Sequence, residues 1–293
     1  MSQEEVPPEQ LADALLTAVR RLDSLVVAFS GGVDSTVVLA ASVRALGPQR
    51  TLAATVDSPA LARDELALVR RTTAELGVEL AVLGTDELAV PGYRANRGDR
   101  CYFCKQTVLS RVAELAAERG FAHVATGTHV DDRRSPHRPG LRAAEELGVA
   151  EPLVTAGLGK ADVRAVARAW GLSVADKPGS PCLASRVAVG VPVTRERLEL
   201  IEQTESAVRT FLREHLVHAR DVRVRLLSGG FRIEVDTEAH QWLEQHPPTA
   251  SALLDRVARI ARTGNGVVAE YRSGAVSTPT ALADQARREA MRP

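Results

Sequence analysis

Cysteine is scarce in this chain of 293 residues, which carries three: Cys101, Cys104 and Cys182. So small and odd a number argues against a disulfide framework. Lysine is equally scarce. Only Lys105, Lys160 and Lys177 occur, and every other basic position is arginine. A lysine kept against that bias invites a specific reason. An excess of charge of one sign is missing too, since Lys and Arg together number 37, as do Asp and Glu. That balance argues against a general nucleic-acid or membrane surface. No apolar run is long enough to span a bilayer. The opening Met1-Ser2-Gln3-Glu4-Glu5 is acidic and lacks an apolar signal core, so a cytoplasmic protein without membrane or nucleic-acid partners is expected.

What is present is a well-punctuated alternation of elements. Hydrophobic residues make up 45%, enough for a substantial core. Apolar runs at 25–29, 52–56, 78–83 and 122–126 read as strands. Helical patterns at 9–22, 35–46, 61–76 and 105–119 alternate with them, which implies an α/β fold with a doubly wound parallel sheet. Residues 130–142 read as a polar loop, followed by short helices near 142–147 and 160–170. After Arg186 the texture changes to a long amphipathic helix at 194–214, two alternating strands at 222–226 and 231–235, a helix at 249–262 and a strand at 266–271. This is the pattern of a smaller C-terminal α+β domain. The expected division is 1–186, 187–272 and a flexible tail at 273–293.

The strongest motif is Ser30-Gly31-Gly32-Val33-Asp34-Ser35, between a strand and a helix start. Adjacent glycines allow a sharp turn and leave backbone N–H groups uncovered. Those groups, the hydroxyls of Ser30 and Ser35 and the positive helix end make a site for anionic oxygens. It is not a Walker loop, which needs Gly-Lys-Ser/Thr at its end. It resembles the PP-loop of ATP pyrophosphatases, which hold the β- and γ-phosphates as one leaving unit and cut ATP to AMP and pyrophosphate. In a parallel sheet, ligands sit beyond the carboxyl ends of the strands. Asp57, Ser58 and Gly127 stand at such ends and are expected to converge with Ser30, Gly31, Gly32, Asp34 and Ser35 on one ATP.

The cysteines leave several readings open. Cys101 and Cys104 could form a redox dithiol, or a zinc site with Cys182 and His123 or His129. All three cysteines could hold three corners of a 4Fe–4S cluster. Cys182, in a loop with Lys177 and Arg186 nearby, could be a nucleophile, or merely a small buried apolar residue.

Taken in order, the 30–35 loop, Cys101-Tyr102-Phe103-Cys104-Lys105, Cys182-Leu183-Ala184-Ser185-Arg186 and Tyr271-Arg272-Ser273-Gly274 resemble the ATP-dependent sacrificial sulfur transferase family, LarE, over roughly residues 10–275. The resemblance implies a role in making the nickel-pincer nucleotide cofactor of lactate racemase and related enzymes. It implies that ATP, with Mg²⁺, adenylylates a carboxylate of pyridinium-3,5-biscarboxylic acid mononucleotide, and that cysteine sulfur then displaces AMP. It assigns Cys182 as the sulfur donor. The three-cysteine pattern resembles members that bind a 4Fe–4S cluster and deliver a sulfide held on its fourth iron, and this route is favoured over sacrifice of Cys182. Arg223 and Arg225, alternating on one strand, match a pair that holds the substrate phosphate, with a solvated strand face as the plain alternative. Lys105, Ser185 and Arg186 are expected at the same ligand. Glu205 matches a family acidic position, though a surface helix glutamate would look the same. Asp131-Asp132 resembles the family's Gly-Thr-Asn-x-Asp-Asp, but His129 stands where asparagine is usual, and an exposed loop histidine is expected. Family members are homo-oligomers, so self-association is expected. Competing functions are a PP-loop tRNA thiolase, which would want a basic surface, an amide-forming ligase, which would leave the cysteines idle, and a non-catalytic nucleotide-binding regulator.

Overall fold

The computed structural model describes residues 6–134, 138–179 and 181–272. The elements run α1 (Pro8–Arg20), β1 (Leu25–Ala28), α2 (Val33–Leu46), β2 (Thr51–Asp57), α3 (Arg63–Glu75) and β3 (Leu80–Gly84). Next come α4 (Pro91–Ala95), α5 (Arg100–Glu118), β4 (His123–Ala125), α6 (Val130–Arg134), α7 (Pro139–Glu146), α8 (Pro152–Thr155) and α9 (Lys160–Ala169). The chain continues through α10 (Arg195–Glu214), β5 (Val222–Leu227), β6 (Gly230–Val235), α11 (Thr237–Gln245), α12 (Pro247–Ala261) and β7 (Gly266–Glu270). Two compact units result, one from residues up to 87 with 101–180, the other from 88–100 with those after 180.

The first unit is a four-stranded parallel sheet in the order β3-β2-β1-β4. Side chains of a strand alternate between faces, and β1 shows the consequence. Leu25 and Val27 pack among α1, α2 and α9, whereas Val26 packs against Val112, Leu115 and Ala116 of α5. All three β1 residues are fully buried, each worth roughly 1.5–3 kcal/mol of transfer free energy. Helices therefore cover both faces, as the sequence pattern implies. α2 has no wide polar face. Val37, Val38, Leu39, Ala40 and Ala41 are all fully buried, because α1 and α9 cover the side of α2 away from the sheet.

Two expectations need correction. The helix expected from 105 starts at Arg100, so Cys101 and Cys104 lie in its opening turns rather than in the preceding loop. The polar stretch 130–142 is not a loop. α6 places Asp131 and Asp132 in its first turn and Arg133 and Arg134 in its last, as the helix dipole favours. α7 then opens on Pro139. Residues 135–137 lie outside the described residues, as do Ser180, Ser273-Gly274 and the 273–293 tail. α4 and α11, each short, were not anticipated.

In the second unit β5 and β6 form a tight antiparallel hairpin, and β7 pairs parallel with β6 after the α11–α12 crossover. α10 packs on β5 and α12. Residues 88–100 join this unit through Asn96, a buried residue in the left-handed region (φ 50°) that ends α4. Its amide nitrogen donates to the carbonyls of Val187 (3.3 Å), Ala188 (2.8 Å) and Val191 (3.0 Å). No helix among the described residues is long and apolar enough to cross a membrane.

Candidate functional site

At the carboxyl end of β1 the chain turns at Gly31 (φ 71°) into the N-terminus of α2. A Cβ at Gly31 would lie 2.9 Å from the Val69 side chain. The hydroxyls close the turn locally. Ser30 and Ser35 are 3.1 Å apart, the Gly32 N–H donates to Ser30 Oγ (3.4 Å), and the Ser35 and Thr36 hydroxyls donate to the Gly32 carbonyl (3.1 and 2.8 Å). Two residues beyond the neighbouring strand β4 lies Gly127, where a Cβ would stand 2.6 Å from the backbone nitrogen of Ser35. Only glycine lets that strand end approach the helix start. At the end of β2, Asp57 accepts from Arg63 (2.7 Å), and Ser58 Oγ accepts the Ala60 N–H (3.2 Å). Glu87, 3% exposed and beside Ser58, has its carboxyl raised above the ordinary range near 4.5 by burial. Sequence reasoning did not select it.

Two lysines reach this loop from far along the chain. Lys160, the first residue of α9, grips both carboxylate oxygens of Asp34 (2.6 and 2.7 Å). Lys177 donates to the Gly31 carbonyl (3.2 Å) and to Glu65 (2.5 Å). Asp131 receives the Lys160 backbone N–H (2.7 Å). His129 is buried rather than exposed, because α6 folds back and sets Asp132 3.4 Å from its Nε2.

Cys101 and Cys104 are three apart in α5 and so share one face of the helix. Neither is in a disulfide. Cys101 is exposed and Cys104 partly so. The phenol of Tyr102, between them, donates to Glu146 (2.7 Å) and lies under the Arg142 guanidinium, which moors the opening of α5 to α7. Burial lowers the Lys105 ammonium, while Asp132 and Glu151 act in the opposite direction. Thiolates are the side chains that suit an iron–sulfur cluster. Among the described residues, no group of three His, Cys, Asp or Glu side chains is arranged to hold a metal ion.

The remaining selected residues gather in the second unit. Cys182 is exposed, so it is not the small buried residue that composition alone allowed, and it heads a 3-10 turn spanning Leu183–Arg186. Arg186 lies buried beneath that turn and donates to the carbonyls of Pro181 and Cys182 and to Ser185 Oγ. Its other face pairs with Glu205 (2.8 Å), which also accepts the Val224 N–H (3.1 Å). Glu205 is thus a buried residue and not a surface one. Arg223 and Arg225 are buried as well, which removes the solvated-face alternative. Arg225 pairs with Glu234 (2.7 Å) and donates to the Ser185 carbonyl (3.1 Å), while Arg223 approaches Asp221 (3.5 Å) and the Tyr271 ring. Burial, and then the like charge of Arg186, lower the Arg223 guanidinium. Sequence reasoning missed Arg100, whose guanidinium joins Asn96 to the Ala184 carbonyl (both 2.7 Å) and pins the Cys182 turn from the side.

No family model matches the chain. It is 36% identical over 224 residues to an uncharacterised protein of Synechocystis, covering 76% of this chain and 81% of that one. It is 31% identical over 221 residues to the pyridinium-3,5-bisthiocarboxylic acid mononucleotide synthase of Lactiplantibacillus plantarum, covering 75% of this chain and 78% of the synthase. It is also 28% identical over 269 residues to a chain of the glutamine-hydrolysing GMP synthase of Methanoculleus marisnigri, covering 85% of this chain and 86% of that one. The glycine turn at the head of α2, the lysine-free loop and these likenesses agree on a PP-loop ATP pyrophosphatase fold. Within it, the chain belongs to the LarE-like family of pyridinium-3,5-bisthiocarboxylic acid mononucleotide synthase.

Proposed function

We propose that this chain is an ATP-dependent sulfurtransferase that converts the carboxylates of pyridinium-3,5-biscarboxylic acid mononucleotide to thiocarboxylates. The observation that carries the reading is the placement of Cys182. Its thiol is exposed at the head of a turn, and the buried Arg186 holds that turn by its carbonyls. A thiolate is a strong nucleophile near neutral pH, and the fixed turn limits the orientations it must search.

The chemistry follows from the weakness of a carboxylate as an electrophile. A substrate carboxylate oxygen attacks the α-phosphorus of ATP, the bond to the β-phosphate oxygen breaks, and pyrophosphate leaves with the electron pair. The N–H groups and hydroxyls of the 30–35 loop receive that pyrophosphate. Mg²⁺, for which Asp34 and Asp57 are the nearby carboxylates, would add charge neutralisation. The Cys182 thiolate then attacks the acyl carbon, and AMP leaves. Removal of the Cα proton of Cys182 breaks its Cβ–S bond, frees the thiocarboxylate and leaves dehydroalanine. Arg223 and Arg225 would hold the substrate phosphate, with Ser185 and Lys105 orienting the pyridinium carboxylates and Glu205 holding Arg186 in place. In the alternative route, Cys101, Cys104 and Cys182 would be the residues to hold a 4Fe–4S cluster, which would supply an exchangeable sulfide.

Anaerobic incubation with ATP, Mg²⁺ and the pyridinium mononucleotide tests this. Release of AMP and pyrophosphate should accompany a thiocarboxylate product. Cys182→Ser should still release pyrophosphate but form no thiocarboxylate. Product formation by that variant at the wild-type rate would overturn the reading. Intact-protein mass distinguishes the sulfur sources: loss of the mass of H₂S marks sacrifice of Cys182, and an unchanged mass with product formed marks the cluster.

A further inference from the structure

Tyr271 directly follows β7, and its N–H donates to the Val235 carbonyl (2.7 Å), which extends the β6–β7 ladder by one residue. Strand alternation fixes the side it faces. Ala269 pairs with Glu234, which in turn pairs with Arg223. Tyr271, two residues beyond Ala269, therefore shares the sheet face of Arg223 and Arg225. The Arg223 guanidinium carbon lies 5.4 Å from the centre of the Tyr271 ring. Aromatic residues are few, since the chain holds two Trp, three Tyr and five Phe. In the second unit Tyr93 and Phe231 are buried, while Phe211 and Trp242 flank His215 in a ring stack on α10 and α11. Half-buried Tyr271 is, among the described residues of this unit, the aromatic ring that meets the arginine cluster.

Arginines account for the capture of a phosphate or a carboxylate, but not for that of a cationic ring. A pyridinium carries a permanent positive charge, which the guanidiniums of Arg186, Arg223 and Arg225 would repel. A carboxylate placed to attract the ring would compete with the ligand's anionic groups for those same arginines. An aromatic face avoids that conflict. Its π cloud attracts a cation, and because it has no net charge it leaves the guanidiniums to the anionic groups. The approach of Arg223 falls within the roughly 6 Å at which a ring face attracts a cation.

We infer that the Tyr271 ring is the wall against which the pyridinium ring of the substrate stacks, beside the arginines that take its phosphate. This role rests on the pyridinium substrate assigned to the chain in its proposed function. An aromatic face and guanidiniums side by side match a ligand whose cationic ring carries anionic groups. Pairing to β6 fixes the backbone of Tyr271 before any ligand arrives, and a tyrosine side chain has little rotamer freedom to lose on stacking.

The test is calorimetric binding of three probes to the full chain without ATP. They are pyridinium-3,5-biscarboxylic acid mononucleotide, its dihydropyridine form, whose ring is uncharged, and ribose 5-phosphate. Tyr271→Leu should weaken binding of the pyridinium mononucleotide about tenfold and leave ribose 5-phosphate within about twofold. The dihydropyridine form should bind the native chain and Tyr271→Leu within about twofold of each other. Tyr271→Phe keeps the ring and should bind the pyridinium mononucleotide within about twofold of the native chain. Stacking of an electron-poor ring on a phenol should also add a near-ultraviolet donor–acceptor absorption band, which Tyr271→Leu should lose. Unchanged affinity of Tyr271→Leu for the pyridinium mononucleotide would overturn the stacking role and leave the substrate reading intact. Equal losses for all three probes would overturn it too, since Tyr271 would then act only by holding Arg223. A native chain that binds none of the probes would overturn the substrate reading as well.

Discussion

In the first unit, Gly31 and Gly127 clear space around the start of α2, so that anionic oxygens would meet N–H groups and hydroxyls. In the second, Arg186, Arg223 and Arg225 lie buried against Glu205, Asp221 and Glu234. One site is made by the absence of side chains, the other by a surplus of charged ones. Their vulnerabilities differ accordingly. The glycine site fails when an atom is added, because a Cβ would meet the Val69 side chain at Gly31 and the Ser35 backbone at Gly127. The arginine site fails when an atom is removed, because a charge stays buried without its partner.

The largest effect should come from the second unit. Glu205→Ala strands Arg186 and the Val224 N–H, and should cost about 3–5 kcal/mol in urea unfolding. Glu205→Gln keeps the acceptor and should cost less. A loss below about 1 kcal/mol for the alanine variant would mean that buried charge is not what holds this site. Gly127→Ala comes next. Its methyl group must displace the backbone of Asp34 and Ser35, and a shift of that kind should slow ATP-dependent pyrophosphate release about a hundredfold. Unchanged kinetics would show that the loop tolerates displacement, and the contrast between the sites would weaken.

The smallest effect sharpens the comparison, since Glu87 is a buried carboxyl in the first unit, beside Ser58 near the phosphate loop. Its folded state holds the proton more tightly than the unfolded state does. Its contribution to stability is therefore present below the ordinary carboxylate range and is lost as pH rises through the raised value. Glu87→Gln should raise Tm relative to the native chain at pH 8, and the gain should shrink toward pH 4. A gain of equal size at both pH values would remove titration of Glu87 as its cause.

Legibility followed the range of the interactions. The strand–turn–helix at 25–46 was readable because its signals are local: an apolar run, two glycines and a helix start. Strand alternation also placed Arg223 and Arg225 on one face, but it did not say whether water or protein covers that face. The burial of Glu205 depends on α10 meeting β5, contacts between residues 19 apart. His129 was misjudged for a similar reason, since its neighbours Asp131 and Asp132 look like loop residues until α6 forms. The first turn of α5 lies outside the expected 105–119 helix because glycine and arginine crowd the residues before Cys101.

By itself the amino-acid order determined the alternating α/β layout, the anion-binding turn at 30–35 and the identity of the scarce thiols and lysines, since each of these is set by neighbours within a few residues. Tertiary structure alone decided which charges are buried together, that Lys160 and Lys177 end at the turn, and that Asn96 and Arg100 brace the Cys182 loop. Those outcomes depend on tertiary pairings that reach as far as 146 residues along the chain, and local propensity carries no information about them.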